Sequence, residues 1–161
     1  MIETDVILIG AGPIGLEMAV ALQQAQVDYV HLEARQVGHT ISWFPRQARF
    51  FSSPDRIAIC GVPLMTVDQS KATREEYLAY LLAVRQQFQL PIRTYERVTS
   101  IRSSGTGEER RFEVRTQRSS GTGQYQARKV ILTIGDMHRP RVLRYDGLPS
   151  VPGADLEHVS H

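Results

Sequence analysis

Val6-Ile7-Leu8-Ile9-Gly10-Ala11-Gly12-Pro13-Ile14-Gly15 is the stretch that decides the fold. The four apolar residues at its start read as a short strand buried on both faces. Gly10 ends that run. From Pro13 the period turns helical, with Ile14, Met18, Ala21, Leu22 and Ala25 along one side. Proline suits a first helical position, because its missing N–H would have no intrahelical partner there. A second apolar-rich run, Tyr29-Val30-His31-Leu32, closes with Glu33. Strand, helix and strand within about 30 residues form a βαβ unit whose strands are parallel.

Gly10, Gly12 and Gly15 also spell GxGxxG, and each glycine has a mechanical task. Gly10 permits the tight turn off the strand, and Gly12 lets a pyrophosphate approach the backbone. Gly15 lets the helix lie close on the sheet. The anion would rest on the unpaired N–H groups at the positive end of the helix dipole. Glycine-rich turns also serve packing alone, but this one follows a strand and opens a helix, which is the required context. Glu33 lies 23 residues beyond Gly10, where a carboxylate accepts hydrogen bonds from a ribose and repels a 2′-phosphate. A plain solvated carboxylate at a strand end is the other reading of Glu33. FAD and NAD share this half-site, so the turn alone does not choose between them.

Outward from the βαβ unit, residues 36–72 show no period and hold Trp43, Phe44, Phe50 and Phe51, so they read as a functional excursion with one short helix. Thr73-Arg74-Glu75-Glu76 has capping-box spacing and starts a helix with Tyr77, Leu81, Val84 and Phe88 on one stripe. Pro91 stops it. Residues 92–95 and 98–101 read as strands. Ser-Ser-Gly-Thr-Gly then occurs twice, at 103–107 and 119–123, beside the alternating runs 112–116 and 125–129. Small residues between alternating runs predict a three-stranded antiparallel meander with two similar mobile turns. Residues 130–134 read as a second continuous apolar strand leading into Gly135. An NAD domain would continue with more βα units; this chain reaches its next buried strand through a meander.

Charge and composition narrow the classes. Residues 1–96 carry 8 basic and 10 acidic side chains, and residues 97–144 carry 11 basic and 4 acidic. Those arginines alternate with apolar residues, as on the wet face of a sheet, so a nucleic-acid partner is not expected. One cysteine, Cys60, excludes an internal disulfide and a CxxC pair, and its apolar setting reads as a small buried hydrophobe. No signal peptide or membrane span is expected, and cytoplasm is the default compartment. His158 and His161 lack the converging ligands a metal needs, and Ser52 and Ser53 lack a hydrolase elbow.

The chain resembles the FAD domain of the thioredoxin-reductase-like and flavin-monooxygenase-like flavoproteins, and within them the bacillithiol disulfide reductase group. The resemblance rests on the 10–15 turn, Phe50-Phe51-Ser52-Ser53, Gly61-Val62-Pro63, Thr73-Arg74-Glu75, Tyr95-Glu96-Arg97-Val98 and Val151-Pro152-Gly153-Ala154-Asp155-Leu156. It implies an α/β fold: a Rossmann-like, FAD-binding, ββα-type three-layer domain, with a parallel sheet and an antiparallel three-stranded meander as crossover. It implies FAD as the dinucleotide, held at Gly10, Gly12, Pro13, Ile14, Gly15, Glu33, Ala34 and Arg35. Thr40, Ile41, Ser42 and Arg46 would lie close to the flavin. Thr133, Ile134 and Gly135 would stand where such proteins carry Ala-Thr-Gly. Val98 would meet the adenine through its backbone, and plain strand core explains it equally well.

Two residues depart from the family pattern: Ile14 stands where some members have a cysteine, and Ile134 where threonine is usual. The family continues into a second GxGxxG domain for NAD(P)H and a returning segment that completes the flavin pocket. The expectation is therefore that residues 1–161 form a partial domain, the N-terminal FAD portion, truncated before the NAD(P)H site. On that view the isolated chain is inactive alone, with catalytic residues, electron acceptor and oligomeric state undetermined. A non-catalytic module that binds FAD or NAD is the alternative.

Overall fold

The computed structural model describes residues 1–137, so the motif at 151–156, His158 and His161 lie outside the described residues. In chain order the elements are β1 (Ile2–Ile9), α1 (Pro13–Gln24), β2 (Tyr29–Leu32), α2 (Pro54–Ile57), α3 (Arg74–Gln87), β3 (Ile92–Arg93), β4 (Arg97–Ser104), β5 (Arg111–Arg118) and β6 (Gly121–Leu132). Short 3-10 turns occupy His39–Trp43 and Gly107–Glu109. All six strands share one sheet, ordered β3-β2-β1-β6-β5-β4. The pairs β1–β2, β2–β3 and β1–β6 are parallel, and β4–β5 and β5–β6 are antiparallel.

Alternation along β1 sends its side chains into two cores, as a strand buried on both faces requires. Leu8 packs with Leu16 and Ala19 of α1 and with Leu81 and Val84 of α3. Ile7 and Ile9 pack with Val30, Leu32, Val114, Tyr125 and Ala127 on the opposite face. The meander therefore folds across the rear of the parallel strands while staying hydrogen-bonded to them. The Arg93 guanidinium lies 5.6 Å from the Tyr125 ring, although β3 and β6 are separated in the sheet by two strands. Two strand layers and one helix layer result, the expected ββα arrangement. No described helix is long and apolar enough to cross a membrane.

Four details differ from the sequence reading. First, α1 buries Gly15, Leu16, Ala19 and Val20, while Ile14 and Ala21 are exposed. Apolar residues surround most of α1, so period alone did not fix its phase; Gly15 does, by letting the helix touch the sheet. Second, the run 125–129 and the first residues of the run 130–134 form one strand, β6, of 12 residues that ends at Leu132. Residues 121–127 pair with β5 and residues 125–132 with β1, and that shared strand also draws Ile2, Glu3 and Thr4 into β1.

Third, the two pentapeptides are not alike. Ser119 and Ser120 make a tight hairpin turn, and Gly121, Thr122 and Gly123 already belong to β6. The first copy ends β4 and passes through Gly105, at φ +75°, into a 3-10 turn. Fourth, residues 92–95 supply only a two-residue strand. The capping box is present as expected: Glu76 N–H donates to Thr73 Oγ1 (3.2 Å), and Thr73 N–H donates to Glu76 Oε2 (2.7 Å). Tyr77, Tyr80, Leu81 and Val84 form the buried stripe of α3, with Phe88 half-buried.

Candidate functional site

The turn between β1 and α1 is held from three sides. Gly10 N–H donates to Leu32 O (2.8 Å) and Thr133 N–H to Ile9 O (2.8 Å), so both strands flanking β1 fix its end. The Gly10 carbonyl accepts from His31 Nε2 (2.8 Å), and the Thr133 hydroxyl, with one proton to give, lies 2.9 Å from it and 3.0 Å from Ile9 O. A carbonyl can only accept, so Nε2 carries the proton, and Nδ1 of the fully buried His31 is an acceptor with no donor among the described residues. Burial pushes the His31 pKa below the ordinary histidine value. Arg85 adds to that, while the Gly10 bond and the Glu33 charge oppose it.

Gly10 has φ +105°, and a Cβ on it would strike the Thr133 carbonyl. A Cβ on Gly15 would strike the Gly10 carbonyl and the Thr133 hydroxyl. Around Gly12, by contrast, a Cβ would meet nothing within 4 Å. The first two glycines are thus required by protein packing, and the third leaves open space in front of the backbone. Gly12 is the N-cap of α1, and no described residue supplies an acceptor for the Gly12, Ile14 or Gly15 amide. Unpaired donors at a helix N-terminus, with open space at Gly12, can take an anion.

Glu33 stands beside this turn. Its Oε2 accepts from Ala11 N–H (2.7 Å) and its Oε1 from Arg35 N–H (2.7 Å). A carboxylate has about four acceptor positions, so it retains capacity for further donors. The backbone there is tied to the start of the meander: Glu96 N–H donates to Glu33 O (2.9 Å) and Tyr95 N–H to Arg35 O (3.2 Å). Val98 follows in β4, half-buried against the rear core, next to an irregularity in the β4–β5 pairing. Ala34 is half-buried and Arg35 exposed.

The His39–Trp43 turn begins at the same place, because Gly38 N–H donates to Ala11 O (2.9 Å). Thr40 and Ser42 are half-buried and Arg46 is exposed, but the Ile41 side chain is buried in the helix-side core. Any contact from Ile41 to a ligand would have to come from its backbone. Ile134 and Gly135 follow Thr133 and are exposed. The structure thus gathers residues 10–15, 33–35, 38–42 and 133–135 at the carboxyl ends of β1, β2 and β6, with Val98 on the rear side.

Two buried polar residues carry no local signal of their partners. A histidine in a doubly buried strand, as His31 is, does point to a backbone group that needs it. Glu96 enters the sequence reading only within the motif at 95–98. It is 3% exposed and accepts from the Thr116 and Tyr125 hydroxyls, both at 2.6 Å. Cys60 is half-buried at the edge of the helix-side core, and burial with the nearby Glu17 pushes its thiol up to about 12.

Bacilliredoxin reductase Bdr of Bacillus subtilis (strain 168) is 35% identical over 80 residues, which is 50% of this chain and 24% of that protein. Bacillithiol disulfide reductase Bdr (YpdA) from Staphylococcus aureus matches with a TM-score of 0.81 at 27% identity, over 98% of this chain and 44% of its own. A flavin monooxygenase from Stenotrophomonas maltophilia matches with a TM-score of 0.77 at 30% identity, over 92% and 43%. The chain spans less than half the length of each of these proteins. Residues 7–159 match the family model described as pyridine nucleotide-disulphide oxidoreductase. A match running over nearly the whole chain makes this protein a member of the pyridine nucleotide-disulphide oxidoreductase family.

Proposed function

We propose that this chain is the FAD-binding portion of a flavoprotein oxidoreductase that works with NAD(P)H. The observation that carries this reading is the set of Gly12, Ile14 and Gly15 amides, unpaired among the described residues, beside the Glu33 carboxylate. The amides would take the diphosphate oxygens, and the spare lone pairs of Glu33 would take ribose hydroxyls. The Val98 backbone would meet the adenine, and residues 40–46, with Thr133, Ile134 and Gly135, would face the flavin side. Bound FAD would supply two-electron transfer between a reduced pyridine nucleotide and an acceptor. The named relatives suggest a disulfide or oxygen as that acceptor. Cys60 is the chain's one cysteine and its thiol stays protonated at neutral pH, so this chain offers no thiolate for exchange.

The test is a titration of the purified chain with FAD, ADP and FMN, read by flavin fluorescence and by competition. FAD should bind, ADP should compete with it, and FMN should bind at least ~10-fold more weakly because it lacks the adenosine that Glu33 recognises. FMN binding as tightly as FAD, or ADP failing to compete, would remove the reading.

A further inference from the structure

Arg74 begins α3 and has no part in the dinucleotide site as described, yet its side chain is only 17% exposed. Its Nη1 donates to two backbone carbonyls across the excursion, Ser42 O (3.1 Å) and Phe44 O (2.7 Å). These carbonyls lie at the end of the His39–Trp43 turn, where helical carbonyls lack intrahelical partners. Nε and Nη2 of Arg74 donate to Glu75 Oε1 (2.9 and 2.6 Å), which holds the guanidinium in plane. Glu75 in turn accepts from Gln47 N–H (3.1 Å to Oε2). The backbone adds Arg74 N–H to Ala48 O (2.8 Å) and Phe50 N–H to Ala72 O (2.9 Å).

The 3-10 turn is therefore suspended between two anchors. Gly38 N–H on Ala11 O fixes its start to the glycine-rich turn, and Arg74 fixes its end to α3. A ligand whose diphosphate rests on residues 12–15 would have one end at Glu33 and the other beside residues 39–43. We propose that Arg74, oriented by Glu75, is a positioning residue for the flavin half of the cofactor. It sets the place of the His39–Trp43 turn without touching the adenosine half. This rests on the FAD reading. It gives the Thr73-Arg74-Glu75 motif a task beyond helix capping, since the cap itself needs only Thr73 and Glu76.

Trp43 is the chain's one tryptophan, lies in this turn and is 50% exposed, so its emission reports the turn directly. The experiment compares wild type with Arg74→Gln and Arg74→Lys for FAD affinity, ADP affinity and acrylamide quenching of Trp43, with urea midpoints recorded. Arg74→Gln should bind ADP within about twofold of wild type, bind FAD ~10-fold more weakly, and show stronger Trp43 quenching. Arg74→Lys, which keeps the charge but reaches fewer acceptors, should recover part of the FAD affinity; it also carries the test if the glutamine variant does not fold. FAD and ADP affinities falling together, or neither changing, would overturn the proposal and leave the dinucleotide reading standing. Wild type binding FAD no more tightly than ADP would do the same. Wild type binding neither ligand would end both.

Discussion

The parallel half of the sheet and the meander half spend their polar groups differently. At the carboxyl ends of β1, β2 and β6, protein groups satisfy the carbonyls and leave amides open: the Gly10 carbonyl accepts from His31, with the Thr133 hydroxyl also in reach, while the Gly12, Ile14 and Gly15 amides have no acceptor among the described residues. In the meander a carboxylate is buried instead: Glu96 Oε1 accepts from the Thr116 and Tyr125 hydroxyls, Oε2 lies 3.9 Å from Arg118, and Gly123 leaves the room that carboxylate occupies. On the FAD reading proposed above, the first region receives the diphosphate, and the meander offers only the Val98 backbone to the adenine. The two regions also join beside Glu33, where Glu96 N–H bonds the Glu33 backbone carbonyl.

The sharpest way to break this contrast is to fill the two kinds of glycine. Gly15→Val places side-chain atoms against the Gly10 carbonyl, and should cost about 3 kcal/mol of stability together with more than ~100-fold in FAD affinity. Gly12→Ala meets open space, so stability should change by less than about 1 kcal/mol while FAD affinity still falls ~10-fold. Urea unfolding and flavin titration of both variants check this. Equal losses of stability would mean that Gly12 serves packing after all.

Next in size is Glu96→Ala, which strands two buried hydroxyls and should destabilise by about 2–3 kcal/mol. Because the Glu33 contact runs through the backbone, FAD affinity of the folded protein should stay within about threefold. A loss of affinity without a loss of stability would show the meander cluster to be part of the ligand site.

The smallest effect is a dependence on pH, and it belongs to the receiving region. The His31 pKa is lowered in the folded protein, so the unfolded chain binds more protons as pH falls below about 6.5. Stability from neutral His31 is complete above that pH and declines as pH drops toward the folded pKa. His31→Gln keeps a donor for the Gly10 carbonyl without titrating, so its stability curve between pH 5 and pH 7.5 should be flatter than that of wild type. Parallel curves for the two proteins would show that His31 does not titrate on unfolding.

The glycine turn, the βαβ unit, the Thr73 cap and the existence of a meander were all legible because each is written in neighbouring residues. A turn needing positive φ selects Gly10, and a helix start selects Pro13 or Thr73, whatever lies elsewhere in the chain. The phase of α1 was not legible, since Ile14, Met18 and Leu22 offer as good an apolar face as Leu16, Ala19 and Val20. The partners of Arg74, His31 and Glu96 were not legible either. Arg74 and the carbonyl of Ser42 are 32 residues apart, and Thr133 and that of Gly10 are 123 apart.

Local sequence was enough for a strand, a glycine-rich turn and a helix, with Glu33 at the end of the next strand. Only the tertiary structure decided which amides stay open, which carbonyls are closed, and how β6 joins two strand layers. Short-range geometry is set by backbone sterics and turn chemistry within a few residues. Long-range hydrogen bonding is set by which strands pack together, and no local pattern records that.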